Sequence, residues 1–168
     1  MMVDVTPEQF RRILSEVPTP VVVVTSVAPA GPAALAIGSF VSISLDPLLV
    51  GVFPAKTSSS WPAIRDAGRF CINVLAEDQV QLSRTFSARG GDKFATVAWR
   101  PSPSGSPIVE GCIVWIDCDL ESEMEVGDHT LVVGRVRAME HQRDAHALVF
   151  HRGDYTSTSA AILTGGEA

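Results

Sequence analysis

Three stretches of this sequence gather residue types suited to holding a charged, flat molecule. Lys56-Thr57-Ser58-Ser59-Ser60-Trp61-Pro62 places a cation and a run of hydroxyls just ahead of a helix-forming segment. The first N–H groups of a helix lack intrahelical partners and carry its positive dipole end, so donors there converge on a terminal phosphate. The same residues also make a plain serine cap beside an exposed lysine. Second, Ala33, Ala34, Ala36 and Gly38 run into Ser39-Phe40 and an alternating stretch, Val41-Ser42-Ile43-Ser44-Leu45. Small residues let a planar ring lie close to a strand backbone, and they serve a tightly packed strand or barrel corner equally well. Third, Gly127-Asp128-His129 joins two long strand-like runs, with a hairpin turn followed by an imidazole at a strand start. His129 there either hydrogen bonds to a second ligand over a bound ring or simply ends a strand half exposed. Tyr155, the single tyrosine, would flank the same pocket or pack on a barrel end. Arg89, Asp92, Lys93 and Phe94 form a charged loop within reach of a phosphate, or an ordinary solvated turn.

Other devices are missing. No G-x-G-x-x-G follows a strand and no G-x-x-x-x-G-K-[ST] occurs, so neither a Rossmann site nor a P-loop is indicated. G-x-S-x-G and H-E-x-x-H are also absent. Cys71, Cys112 and Cys118 are odd in number and lack C-x-x-C spacing, which points to three free thiols in a reducing, cytoplasmic setting and to no metal site. A net charge of −6 lacks the basic footprint of a nucleic-acid binder. No apolar run approaches membrane-spanning length, and no basic segment leads into an apolar one at the N-terminus.

The elements that must position these residues read as one domain over 1–168, with 46% hydrophobic residues to fill one core. Thr6-Pro7-Glu8-Gln9 combines an N-cap, a proline at the first helical position and a capping box. It predicts a helix over 6–17, with Phe10, Ile13, Leu14 and Val17 as its buried face. β-Branched runs follow from Val21, with a turn at Pro29-Ala30-Gly31-Pro32. The alternation from Phe40 to Leu45 predicts a strand with one face in the core, ended by Asp46-Pro47, and Leu48 to Phe53 is the next strand. Short helices are expected over Ser58–Ala67 and Asp78–Phe86, with a strand from Phe70 to Leu75 between them. Residues 87–107 read as loop, Ile113–Glu125 and Thr130–His141 as long strands, and Leu148–His151 as a last short one. The barrel would span 20–156, and the tail 157–168 is expected to be flexible. Many strands, short helices and no regular βαβ alternation favour a mainly β, antiparallel barrel over a doubly wound sheet.

In their order along the chain, these segments resemble the short-chain flavin reductase family, the reductase components of two-component flavin-dependent monooxygenases. The resemblance runs from about Phe10 to Tyr155. It is carried by Gly38-Ser39-Phe40-Val41-Ser42-Ile43-Ser44-Leu45-Asp46-Pro47, Lys56-Thr57-Ser58-Ser59-Ser60-Trp61 and Gly68-Arg69-Phe70-Cys71-Ile72-Asn73-Val74-Leu75. Asp92-Lys93-Phe94, Val97-Ala98-Trp99, Gly127-Asp128-His129 and Arg152-Gly153-Asp154-Tyr155 complete it. The Lys-x-Ser-x-Ser-Trp and Arg-Gly-Asp-Tyr forms are similar to reductases that serve aromatic-ring and sterol-ring hydroxylases.

The resemblance implies an FMN-binding split β-barrel, a homodimer with flavin bound near the subunit interface, and a separate monooxygenase partner. FMN or FAD would be held by Gly38, Ser39, Phe40, Val41, Ser42 and Ser44 along the ring and ribityl chain. Lys56, Thr57, Ser58, Ser60 and Trp61 would stand at the phosphate. Asn73, Lys93 and Phe94 would close over the flavin. His129 and Tyr155 would contact NADH or NADPH. Hydride transfer between the cofactors then needs no acid or base from the protein. The chain departs from the usual pattern with Ala34, Ala36 and Gly38 in place of Gly, Thr and Asn, and with Pro20 in place of Gly. Two side-chain hydrogen bonds to the flavin would thereby be absent, leaving that job to backbone N–H groups, and a backbone donor is lost at Pro20. A tightly flavin-bound electron-transfer protein and a non-catalytic β-barrel binding module are the competing readings.

Overall fold

The computed structural model describes residues 4–159. Helix α1 (Pro7–Leu14) begins as its sequence dictates, with Thr6 Oγ1 accepting from Gln9 N–H at 3.2 Å while Gln9 Oε1 accepts from Thr6 N–H at 3.0 Å. It ends earlier than the pattern suggests. Phe10, Ile13, Leu14 and Val17, expected as a buried face, are about half exposed (57, 59, 47 and 55%). The chain end of α1 is tied to the C-terminal hairpin, where Arg152 Nη2 donates to Glu16 Oε2 at 2.6 Å and Arg152 N–H to Ser15 O at 2.9 Å. That tether leaves the apolar stripe open in the single chain.

The remaining elements are β1 (Thr19–Pro20), β2 (Val22–Ala28), β3 (Gly31–Ile37), β4 (Val41–Leu45), β5 (Leu48–Val52), α2 (Trp61–Ala67) and β6 (Arg69–Val74). A 3-10 turn at Glu77–Gln79 leads into α3 (Val80–Ser87). Then come β7 (Trp99–Pro101), β8 (Pro107–Val109), β9 (Val114–Val126), β10 (His129–His141), β11 (Leu148–His151) and β12 (Asp154–Ser157). Every pairing is antiparallel. Seven strands form one sheet in the order β3-β2-β6-β9-β10-β5-β4, flanked by β1-β11-β12 and by the β7-β8 hairpin.

The chain is therefore mainly β and antiparallel, but no sheet among the described residues closes on itself. Strands β3 and β4 are consecutive in sequence yet stand at opposite edges of the seven-stranded sheet, joined by the bend at Gly38-Ser39-Phe40. Edge position also overturns the expectation for β4. Val41, Ile43 and Leu45 are 42, 44 and 85% exposed, because the strand pairs only with β5 and its apolar row has no layer over it in the single chain.

Strand β2 is buried on both faces, which explains its unbroken β-branched run. Val22 and Val24 join Ile64, Phe70, Ile72 and Val132 in one cluster, while Val21 and Val23 meet Leu75, Phe86, Val109 and Leu148 in another. Each such side chain taken fully from water contributes about 1.5–3 kcal/mol. On β10, Gly134 is required by close approach, since a Cβ there would lie 2.7 Å from the Phe70 ring and 3.1 Å from Cys118 Cβ.

Two elements lie where loop was expected. The β7–β8 hairpin is anchored by the buried Asp117, whose Oδ1 accepts from Ser102 Oγ at 2.8 Å and Ser104 Oγ at 2.6 Å while Oδ2 accepts from Ser104 N–H. Strand β12 follows the expected last strand and reaches one residue, Ser157, into the expected tail; residues 160–168 of that tail lie outside the described residues. Cys71, Cys112 and Cys118 are free and buried, and burial pushes the Cys112 and Cys118 thiols up to about 11 and about 12. Among the described residues no helix is long and apolar enough to cross a membrane.

Candidate functional site

The bend after β3 and the strip after β5 form two walls of a cleft of about 470 Å³. Gly38 stands at the bend, where a Cβ would come within 2.7 Å of Thr19 Oγ1, so only glycine lets β1 and the bend meet. Ser39 pins the bend to the end of β5, its Oγ accepting from Phe53 N–H at 3.0 Å. Phe53, Pro54 and Ala55 then line the cleft, followed by Thr57, Ser58, Ser59 and Ser60. Opposite them lie Lys93, Arg89 and the end of α3, with His129 at the β10 start.

His129 is placed by backbone as well as by its own bonds. Lys56 N–H donates to Asp128 O at 2.9 Å and Thr130 N–H to Pro54 O at 3.0 Å, which binds the β9–β10 turn to the 54–56 strip. Gly127 takes the left-handed φ of +59° that the two-residue turn requires. The imidazole Nδ1 lies 2.7 Å from Asp128 Oδ1, and this hydrogen bond holds the Asp128 carboxyl below its usual range.

Lys93 is the half-buried cation of the cleft. Its Nζ donates to Phe86 O at 2.9 Å and, at 3.4 Å each, to Ala34 O and Ser60 Oγ; all three acceptors are uncharged. Burial holds its ammonium pKa below the ordinary lysine value. Lys56, by contrast, points away to β9, with Nζ 2.8 Å from Glu125 Oε2.

A second hollow of about 360 Å³ adjoins the first across Ala36, Ile37 and Gly38. Tyr155 lines it, its hydroxyl 3.0 Å from Ser83 Oγ and its ring 5.4 Å from that of Phe150. The Arg84 guanidinium lies 5.7 Å from the Tyr155 ring centroid. His129 and Tyr155, expected side by side, thus face separate hollows with the Ala36–Gly38 ridge between them.

The fold brings together Gly38, Thr57, Ser58, Ser60, Lys93 and His129 from the sequence expectation. It places others elsewhere. Asn73 is fully buried in the core, with Nδ2 donating to Val23 O, Thr25 Oγ1 and Pro107 O and Oδ1 accepting from Val109 N–H at 2.8 Å. It has no atom left to close over a ligand. Trp61 is buried against Phe70, ring centroids 6.4 Å apart, and its Nε1–H donates to Glu123 at 2.8 Å. Phe94 wedges between Phe86 and Trp99 at 5.2 and 6.1 Å. Phe40 packs on the core, Val41 and Ser42 stand exposed on edge strand β4 beside Ser44, and none of the four lines either hollow. Ser58 does cap α2, its Oγ accepting from Trp61 N–H at 3.2 Å. Sequence reasoning missed Ser83 and Ser87, one helical turn apart on α3; that spacing of small hydroxyls was the available signal.

Residues 14–159 match the family described as flavin reductase like domain, and the chain belongs to that family. It is 44% identical over 157 residues to a flavin reductase of Pseudomonas putida, covering 93% of this chain and 92% of that one. It is 43% identical over 152 residues to the reductase subunit of a flavin-dependent monooxygenase of Rhodococcus jostii, covering 90% and 78%. The crystal structure of nitrilotriacetate monooxygenase component B from Mycobacterium thermoresistibile superposes with a TM-score of 0.86 at 41% identity, covering 96% of this chain and 94% of that one. The protein is a flavin reductase, an oxidoreductase.

Proposed function

We propose that the cleft from Gly38 to Lys93 holds FMN or FAD, that NADH or NADPH reduces it there, and that the reduced flavin passes to a separate monooxygenase. The juxtaposition of Thr57, Ser58 and Ser60 with Lys93 and His129 in one cleft carries this reading. Hydroxyls and a partly desolvated ammonium suit a phosphate, and an imidazole beside them suits a second polar ligand. Bound flavin and nicotinamide would supply the redox chemistry, a hydride passing between their rings. The protein's own residues would bind and orient. Ser39 keeps the Gly38 bend against Phe53, while the 54–56 strip keeps His129 fixed relative to the serines. Ala34 is 1% exposed and faces the core, so no side chain at that position reaches a ligand. Binding there would draw on backbone groups.

The partner oxygenase is supported by the Rhodococcus relative, itself a reductase subunit. A homodimer is supported by two uncovered apolar rows, Phe10, Ile13 and Leu14 on α1 and Val41, Ile43 and Leu45 on β4. In that assembly the open sheet would serve as a split barrel, its exposed edge strand covered by the second copy. Three buried free thiols fit a cytoplasmic setting. Steady-state oxidation of NADH and of NADPH, with FMN and FAD added in turn, tests the activity, and light scattering after gel filtration tests the dimer. Nucleotide oxidation that depends on added flavin is expected. Flavin that co-purifies and never exchanges, with added flavin left oxidised, would replace this reading by a tight electron-transfer flavoprotein.

A further inference from the structure

Two lysines stand near the hydroxyl run, and the fold gives them different partners. Lys56 is held at both ends by the β9–β10 hairpin: its Nζ is 2.8 Å from Glu125 Oε2, and its backbone N–H donates to Asp128 O. Its side chain is not part of the cleft lining. Lys93 does line the cleft, and each of its acceptors is neutral: the Phe86 carbonyl at 2.9 Å, and the Ala34 carbonyl and Ser60 hydroxyl at 3.4 Å. Among the described residues no carboxylate lies within ion-pair range of this half-buried ammonium, which has lost part of its hydration without gaining a counter-charge there, and an anion arriving beside Ser60 supplies one. Arg89, on the same wall, adds to the positive field.

We propose that Lys93, not Lys56, reads the phosphate of the bound flavin, and that Lys56 acts as a positioning residue that, through Glu125, keeps His129 opposite the hydroxyl run. This rests on the cleft being the flavin site. The two lysines then have separable signatures. Lys93 acts on the part of the flavin that riboflavin lacks. Lys56 acts on the hairpin that carries His129, and so on the nicotinamide nucleotide.

The experiment measures the affinities of FMN and riboflavin for the full chain and the KM for the nicotinamide nucleotide. The wild-type protein prefers FMN, and Lys93→Met lowers the FMN-to-riboflavin affinity ratio about 10- to 100-fold while riboflavin still binds, which shows the cleft intact. Lys56→Met leaves that ratio unchanged. The charge reversals Lys56→Glu and Glu125→Lys each raise the nucleotide KM about 2- to 5-fold with kcat nearly constant, and the double reversal restores it. A ratio that collapses in Lys56→Met overturns the assignment. So does a Lys93→Met protein that melts earlier but keeps its ratio, since Lys93 would then only cap the last carbonyls of α3. No rescue in the double reversal refutes the role given to Lys56. A wild-type protein that binds neither flavin defeats the flavin-site reading itself.

Discussion

Replacing Asn73 with alanine separates a structural role from a ligand-binding one at a position where resemblance and geometry disagree. The Asn73 amide lies between β2, β6 and β8, with zero exposure. Its Oδ1 accepts from Val109 N–H at 2.8 Å, and its Nδ2 reaches Val23 O and Thr25 Oγ1, both at 3.2 Å. Alanine strands the Val109 N–H in a dry site, which costs about 1–3 kcal/mol. Loss of the Nδ2 bonds and the vacated volume bring the total to about 3 kcal/mol. For a domain of this size that lowers Tm by roughly 6–12 °C. Asn73→Asp should fare no better, because a carboxylate keeps the bond to Val109 but faces the Val23 and Pro107 carbonyls with no proton to offer. Thermal melts followed by circular dichroism measure the loss, and flavin titration of the folded variant at low temperature should return the wild-type affinity. An unchanged Tm with weakened flavin binding would show that Asn73 touches the ligand and that the burial argument is wrong.

His129→Ala should raise the KM for NADH about 2- to 12-fold, the worth of one hydrogen bond, with flavin affinity little changed; unaltered nicotinamide kinetics would remove His129 from the site. Gly38→Ala sets a methyl 2.7 Å from Thr19 Oγ1, and the overpacking should cost about 1–3 kcal/mol. Thr19→Ala in the same chain should recover part of that loss, and denaturant midpoints of the two single variants and the pair provide the check. Burial pushes the Cys112 thiol up to about 11, from 9.0 ordinarily. Below the lower value both states keep the proton, while between the two only the native state does, so stability falls as pH rises through that window. Cys112→Ala should flatten this part of the pH dependence, as urea midpoints across the window would show.

Much of the local structure was legible. Thr6 and Gln9 specify the first turn of α1 because the capping box is satisfied within four residues. Gly127-Asp128 specifies the β9–β10 hairpin because a two-residue turn needs a residue that accepts positive φ. The order of Gly38-Ser39-Phe40, the serine run and Gly-Asp-His carried the family, since it is a property of the chain alone. The period-2 alternation of Val41 to Leu45 likewise told that one face is apolar. It could not tell whether another layer covers that face, and in the single chain none does, because β4 became an edge.

The tertiary structure alone decided which chemical groups meet. Asn73 and His129 both read as polar residues on strands, yet β8 crosses over Asn73 and absorbs its amide, while the 54–56 strip leaves His129 at an open cleft. Lys56 is next to the serines in sequence but its ammonium goes to Glu125, and Lys93 arrives at Ser60 from 33 residues away. Sequence neighbours share a backbone direction, not a destination. Where a long side chain finds its partner depends on which distant strand or loop packs beside it, as β9 does beside Lys56 and the 93 loop does beside Ser60.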